Sequence, residues 1–197
     1  MKIIKLLILL LVSCSLSAKA GVVKISGSLK QFGLDRVSMN SDGIAAEVYH
    51  DRTIEIILDS NGRFDLKLKL KQPAYYKVGH NTLYLTPGDD LEIIFNRNTT
   101  KTTFNGKGIE ANNYLRNSAK LSGCEIAKIG RELNEFGLPK EKVSFEVYRY
   151  KVDSIVDASL DALAHLTAVT PEFRELEQIR LEACRLATYL DYFSVGN

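Results

Sequence analysis

The segment TLYLTPGDDLEII, residues 82–94, sets two adjacent carboxylates, Asp89 and Asp90, directly behind Pro87-Gly88. Neighbouring acids are the raw material for a cation site or for moving a proton. A calcium loop needs more oxygen ligands at closer spacing, as in D-x-D-x-D, and none follows here. Pro87 fixes φ for the second position of a turn, and Gly88 supplies the positive φ of a type II turn at the third. With apolar sequence on both sides, the segment reads as a hairpin turn with the two acids at its edge.

The other reactive residue types are scattered. His50, His80 and His165 lie far apart and form no H-x-x-x-H or H-E-x-x-H spacing. Asp51 is placed to orient the His50 imidazole, but such a pair also suits an exposed strand end. There is no G-x-S-x-G, no phosphate loop and no dinucleotide fingerprint. Cys14, Cys124 and Cys184 make no C-x-x-C, so the dithiol chemistry of a thioredoxin active site is absent. In an oxidising compartment Cys124 and Cys184 are candidates for a disulfide; the alternative is two buried apolar thiols. Tyr75, Tyr76 and Tyr84 form the candidate ligand platform. On a strand Tyr75 and Tyr76 face opposite ways, so one belongs to the core. The other is available to stack on a sugar or peptide, although a solitary surface tyrosine is the plainer reading. These patterns predict no catalytic residue, no metal, no cofactor and no enzyme.

The first twenty residues, MKIIKLLILLLVSCSLSAKA, have the build of a secretory signal: Lys2 and Lys5, an apolar run from Ile3 to Val12, then Ala18 and Ala20 around Lys19. The apolar run is too short to anchor a chain across a bilayer. The A-x-A pattern predicts cleavage after Ala20. Leu11-Val12-Ser13-Cys14 offers a competing lipobox, which makes Cys14 the candidate for lipidation. Cleavage after Ala20 removes Lys2, Lys5 and Lys19 from 26 basic residues, leaving 23 against 24 acidic ones, a net of −1. That balance provides no basic stripe for nucleic acid and no polybasic patch for anionic lipid. The expected address is the periplasm, or a membrane reached only through a lipid on Cys14.

Two halves must position whatever function there is. Residues 21–107 show period-two alternation with turn punctuation, as in Phe64, Leu66, Leu68 and Leu70 against Asp65, Lys67 and Lys69. Further strands are expected at 23–29, 53–58, 75–78, 83–86, 91–95 and 102–104. Asp59-Ser60-Asn61-Gly62 is expected to close a hairpin between two of them. Several short strands at this spacing predict an antiparallel β-sandwich. From about residue 108 the period becomes helical. A first helical stretch is expected from Ile109 to about Phe136, with Ser122-Gly123 as a point of interruption, a second beginning near Pro139 and carrying Phe145, Tyr148, Val152, Ile155, Leu160 and Leu163, and a third opening at Thr170-Pro171. Its stripe of Phe173, Leu176, Ile179, Ala183, Leu186 and Leu190 is expected to be core or helix-to-helix packing. Strands first and helices afterwards give an α+β chain, a sandwich followed by a bundle of about three helices over 108–197.

The order of Val23-Lys24-Ile25-Ser26-Gly27, Asp59-Ser60-Asn61-Gly62-Arg63-Phe64, Leu85-Thr86-Pro87-Gly88-Asp89, Phe104-Asn105-Gly106-Lys107-Gly108 and Asn112-Asn113-Tyr114-Leu115 resembles the N-terminal, non-catalytic domain of TlpA-like thiol–disulfide oxidoreductases of Gram-negative envelopes. That domain has no assigned function, and the resemblance spans nearly all of the expected mature chain. In such proteins a thioredoxin domain with W-C-x-x-C usually follows the helices; this sequence carries no such motif, so no redox residues transfer. The resemblance implies an exported accessory module that binds an envelope protein or a small ligand without catalysis of its own. Two alternatives stay open: an oxidoreductase truncated before its thioredoxin domain, and a lipoprotein that binds a glycan or a peptide.

Overall fold

The computed structural model describes residues 20–41, 53–118, 131–133 and 139–194. The chain divides between Gly108 and Ile109 into two compact units.

Among the described residues the first unit holds eight strands: β1 (Gly21–Ser28), β2 (Arg36–Ser41), β3 (Thr53–Ile57), β4 (Arg63–Leu70), β5 (Ala74–Val78), β6 (Asn81–Leu85), β7 (Asp90–Ile94) and β8 (Thr103–Lys107). They form two four-stranded sheets, ordered β4-β1-β7-β8 and β3-β2-β5-β6. Alternation fixes their buried faces, since successive side chains on a strand point to opposite sides. Val23, Ile25, Phe64, Leu91, Ile93 and Phe104 are buried in one sheet, and Met39, Ile56, Tyr76, Val78, Leu83 and Leu85 in the other. Gly27 lies in register between Phe64 and Ile93, where an added Cβ would fall 1.8 Å from the Ile93 carbonyl oxygen. Asn81 and Thr102, both buried, settle each other's polar atoms: Thr102 Oγ1 donates to Asn81 Oδ1 at 2.8 Å and accepts from Asn96 N at 3.1 Å.

Three expectations for this unit need correction. The sandwich is not wholly antiparallel, because β1 pairs β4 antiparallel but β7 parallel. Strand β2 carries only Val37 and Met39 as its apolar signal and was not anticipated from the sequence. Neither turn motif joins paired strands. The 59–62 turn leads from β3 to β4, which lie in different sheets, and the 86–89 turn likewise leads from β6 to β7. Both are chain reversals that carry the backbone across the sandwich.

The second unit contains α1 (Ile109–Asn117), a two-stranded pair β9 (Arg131–Leu133) and β10 (Pro139–Lys142), then α2 (Phe145–His165) and α3 (Pro171–Ser194). The helical stretch expected from Ile109 to about Phe136 is therefore wrong in extent: α1 ends at Asn117, Leu133 lies in a strand paired with Pro139, and the expected interruption at Ser122-Gly123 lies outside the described residues. Pro139 begins that strand and not the next helix. Ser144 caps α2, its Oγ accepting from Val147 N at 3.4 Å. At α3 the expected start holds, with Thr170 Oγ1 accepting from Phe173 N at 3.1 Å and Pro171 at the first helical position. The C-terminal carbonyls of α2 are satisfied by a cation, Arg174, which donates to the carbonyls of Leu163, Ala164 and Leu166.

Helices α2 and α3 bury Tyr148, Val152, Val156 and Leu181 against one another. Tyrosine hydroxyls tie off the seam, from Tyr148 to Thr188 O at 3.0 Å and from Tyr192 to Val143 O at 2.7 Å. Arg185 adds a charged clasp, reaching Asp157 at 2.7 Å and Asp153 at 3.1 Å on α2. The face of α3 turned inward carries Phe173, Glu177, Leu181 and Thr188. Of the stripe expected to be core or helix-to-helix packing, Phe173 is buried and Leu176, Ile179, Ala183, Leu186 and Leu190 are exposed.

Candidate functional site

Asp89 is not at the edge of its turn. Asp89 N donates to Thr86 O at 3.0 Å with Gly88 at φ 91°, which is the type II turn, but the Asp89 side chain folds inward and is 5% exposed. Its Oδ2 accepts from Thr86 N at 2.7 Å, and the carboxylate lies against Gly108, where an added Cβ would come within 2.7 Å of it. Burial pushes this carboxyl above its ordinary value; the hydrogen bond from Thr86 and the charge of Lys107 pull the other way without prevailing. Asp90 is exposed and meets Lys24 at 3.5 Å, a surface pair of small energetic weight. The two acids thus point to different surroundings and have no shared site.

The tyrosines are distributed otherwise than a platform needs. Tyr76 is 8% exposed and Tyr84 2% exposed, so neither presents a ring face to solvent. Tyr75 stands opposite Tyr84 across β5 and β6, ring centroids 5.0 Å apart, and is half-buried. Cys184 is half-buried on α3, with its carbonyl accepting from Thr188 Oγ1 at 2.7 Å. Cys14, Cys124 and His50 lie outside the described residues. His165 sits at the exposed end of α2, its Nδ1 2.8 Å from Asp161 O. Among the described residues no group of three or more His, Cys, Asp or Glu side chains is arranged to hold a metal, and no helix is long and apolar enough to cross a membrane.

What the sequence did not announce is a cleft of about 830 Å³ between α1 and α2. It exists because α2 carries small residues on one face: Ser154, Ala158 and Ala162, one turn apart, fill too little of the space beside α1. Ile155 and Leu166 extend that wall. The facing wall is polar, with Glu110, Asn113 and Asn117 at the i, i+3, i+7 spacing that keeps them on one side of α1. Tyr114 and Ser118 line the cleft between the walls. Tyr114 is held rigidly, its hydroxyl donating to Ser159 O at 2.9 Å and its ring edge-on to Phe173 at 6.0 Å. Burial pushes its phenol up to about 12, so the hydroxyl stays protonated through the physiological range.

Beneath Ser118 lies a charged network. Glu177 is fully buried, and its carboxylate is gripped by Arg180 through Nε and Nη2, each at 2.7 Å. Ser118 Oγ donates to Glu177 Oε1 at 3.2 Å and accepts from Arg180 Nη2 at 3.1 Å. A carboxylate with no solvent is tolerable only when paired and hydrogen-bonded in this way. Ser118 is thereby locked from below while lining the cleft above. Small residues at i, i+4, i+8 on α2 are a readable signal for this site, but placing α1 against them needs the tertiary fold.

Comparison with models of protein families, with curated proteins and with solved structures found no match.

Proposed function

We propose that this chain is an exported binding module of the bacterial envelope, without catalysis of its own, and that its α1–α2 cleft takes a short peptide segment. The observation that carries the reading is the pairing of an apolar wall with an amide-bearing wall across one cleft. Asn113 and Asn117 each offer a donor and an acceptor, which suits the alternating N–H and C=O groups of an extended peptide. Ala158, Ala162 and Ile155 suit its apolar side chains. A sugar would want an open aromatic face to stack on, and the aromatic ring at this site, Tyr114, is 7% exposed. In the second unit Glu177 is paired with Arg180 and Asp153 with Arg185, so these charges are engaged within the fold. The envelope address and the kinship with the N-terminal domain of TlpA-like proteins rest on the sequence motifs.

The test is enrichment of peptides from a random short-peptide library on immobilised protein, followed by calorimetry on those retained. Ala158→Phe fills the cleft from an exposed helix position without touching the core. Retention by the parent and loss in Ala158→Phe is the expected result; equal retention by both refutes the cleft as the site. Turnover of insulin disulfides that disappears in Cys124→Ser with Cys184→Ser would replace this reading with an oxidoreductase. Intact mass of the exported protein decides the address: a start at Gly21 is expected, and acyl groups on Cys14 would make it a lipoprotein.

A further inference from the structure

Strand β4 is an edge strand of eight residues, paired with β1 along its whole length and with no strand on its other side among the described residues. Bonding in an antiparallel pair falls on every second residue. Leu29 N donates to Gly62 O just beyond the two strands, while Lys24 N on β1 turns away from β4 to Asp89 O. The residues of β4 that bond to β1 are therefore Phe64, Leu66, Leu68 and Leu70, and Arg63, Asp65, Lys67 and Lys69 turn their N–H and C=O outward. At Arg63 both outward groups are taken by the preceding turn, N by Asp59 Oδ1 at 2.8 Å and O by Asp59 N at 2.9 Å. From Asp65 to Lys69 no group among the described residues takes them, which leaves a template for one more strand.

The side chains specify that strand. Asp65, Lys67 and Lys69 are exposed, make no ion pair among the described residues, and are followed by a further exposed base, Lys71. Their register partners on β1 are Ser26, Lys24 and Val22, so the neighbouring strand offers the two lysines no carboxylate. On the inner face Phe64 and Leu70 are buried, but Leu66 and Leu68 between them are only half-buried, so apolar surface remains to be covered at mid-strand. We infer that this edge takes an extended segment of a partner protein by antiparallel strand addition. Its acids stand opposite Lys69 and Lys67, a base opposite Asp65, and apolar residues between them cover Leu68 and Leu66. A second copy of β4 does not fit. Centred on Lys67 it sets Lys67 against Lys67 and Arg63 against Lys71; centred on Leu66 it sets Arg63 against Lys69 as often as Asp65 against Lys67. A polyanion without a peptide backbone would meet the lysines and leave the backbone groups unfilled. The edge belongs to the first unit and the proposed cleft to the second, so the two can be tested apart.

Fluorescence anisotropy of the purified protein with a labelled, end-capped Val-Glu-Val-Glu-Val-Lys-Val peptide should show saturable binding. Methylating the two glutamate nitrogens, whose N–H groups would donate to β4, should abolish it. Lys67→Glu with Lys69→Glu changes two exposed side chains and should weaken this peptide at least ~10-fold, while circular dichroism stays that of the parent. The same variant should now bind Val-Lys-Val-Lys-Val-Lys-Val. Ala158→Phe, which fills the cleft, should bind the first peptide as the parent does. No binding by the parent overturns the inference, as does equal binding of the methylated peptide or equal binding by the double variant. So does loss of binding in Ala158→Phe, which would assign the peptide to the cleft.

Discussion

Replacing Asp89 separates its role as an acceptor from its role as a charge. In the folded chain its Oδ2 takes the Thr86 N–H at 2.7 Å inside a turn, with the side chain 5% exposed. Asp89→Ala removes that acceptor and leaves a half-buried N–H to find water. The cost is about 1–2 kcal/mol, with a few tenths more from lost packing against Gly108. Asp89→Asn keeps an acceptor oxygen in nearly the same volume and should cost well under half as much. The charge adds a pH signature. Burial holds the folded carboxyl above its ordinary value of 3.8, so the proton binds more tightly in the folded state. Its contribution to stability is full below 3.8 and is lost as pH rises through the raised folded value. Asparagine has no such loss, so the Asn variant should gain on the parent between pH 4 and pH 7. Urea denaturation of the parent, Asp89→Asn and Asp89→Ala at both pH values measures this. Equal costs for Asn and Ala at pH 7, or a difference that moves against Asn as pH rises, would refute the argument.

Gly88→Val should destabilise the sandwich by roughly 1–3 kcal/mol in the same denaturation assay. The cost comes from φ 91° alone, since an added Cβ there meets only Lys107 Nζ at 3.6 Å. Glu177→Ala strips the acceptor from Arg180 and Ser118 and should cost about 2–4 kcal/mol, with Glu177→Gln losing less; thermal melting of the two variants compares them. Tyr114 and Tyr148, both pushed up to about 12 chiefly by burial, should be among the last tyrosines to ionise in an alkaline ultraviolet titration, and Tyr114→Phe should remove one late step. Because their folded values lie above the ordinary 10, their contribution is complete below pH 10 and is lost as pH climbs through about 12.

Features that depend on a few neighbouring residues are legible in the unfolded chain. Pro87-Gly88 and Thr170-Pro171 form the turn and the helix start expected of them, because fixed φ, tolerated φ and a side-chain cap are local properties. Period two in Phe64–Leu70 and helical period beyond Phe145 gave the α+β order for the same reason. Tertiary structure decided which strand pairs with which. A turn at 59–62 or 86–89 reverses the chain, but whether the next strand joins the same sheet depends on which arrangement buries both inner faces, and here both turns cross between sheets. It also decided the fate of each acid. Asp89 and Asp90 are identical in sequence terms, yet alternation about the turn sends one inward to Thr86 and the other out to Lys24. On α3 the cleaner apolar stripe stayed outside, and the side bearing Glu177 and Thr188 went in. A helix buries the face whose shape fits its neighbour, and here Arg180 neutralises the enclosed Glu177 carboxylate while Ser118 hydrogen-bonds to it.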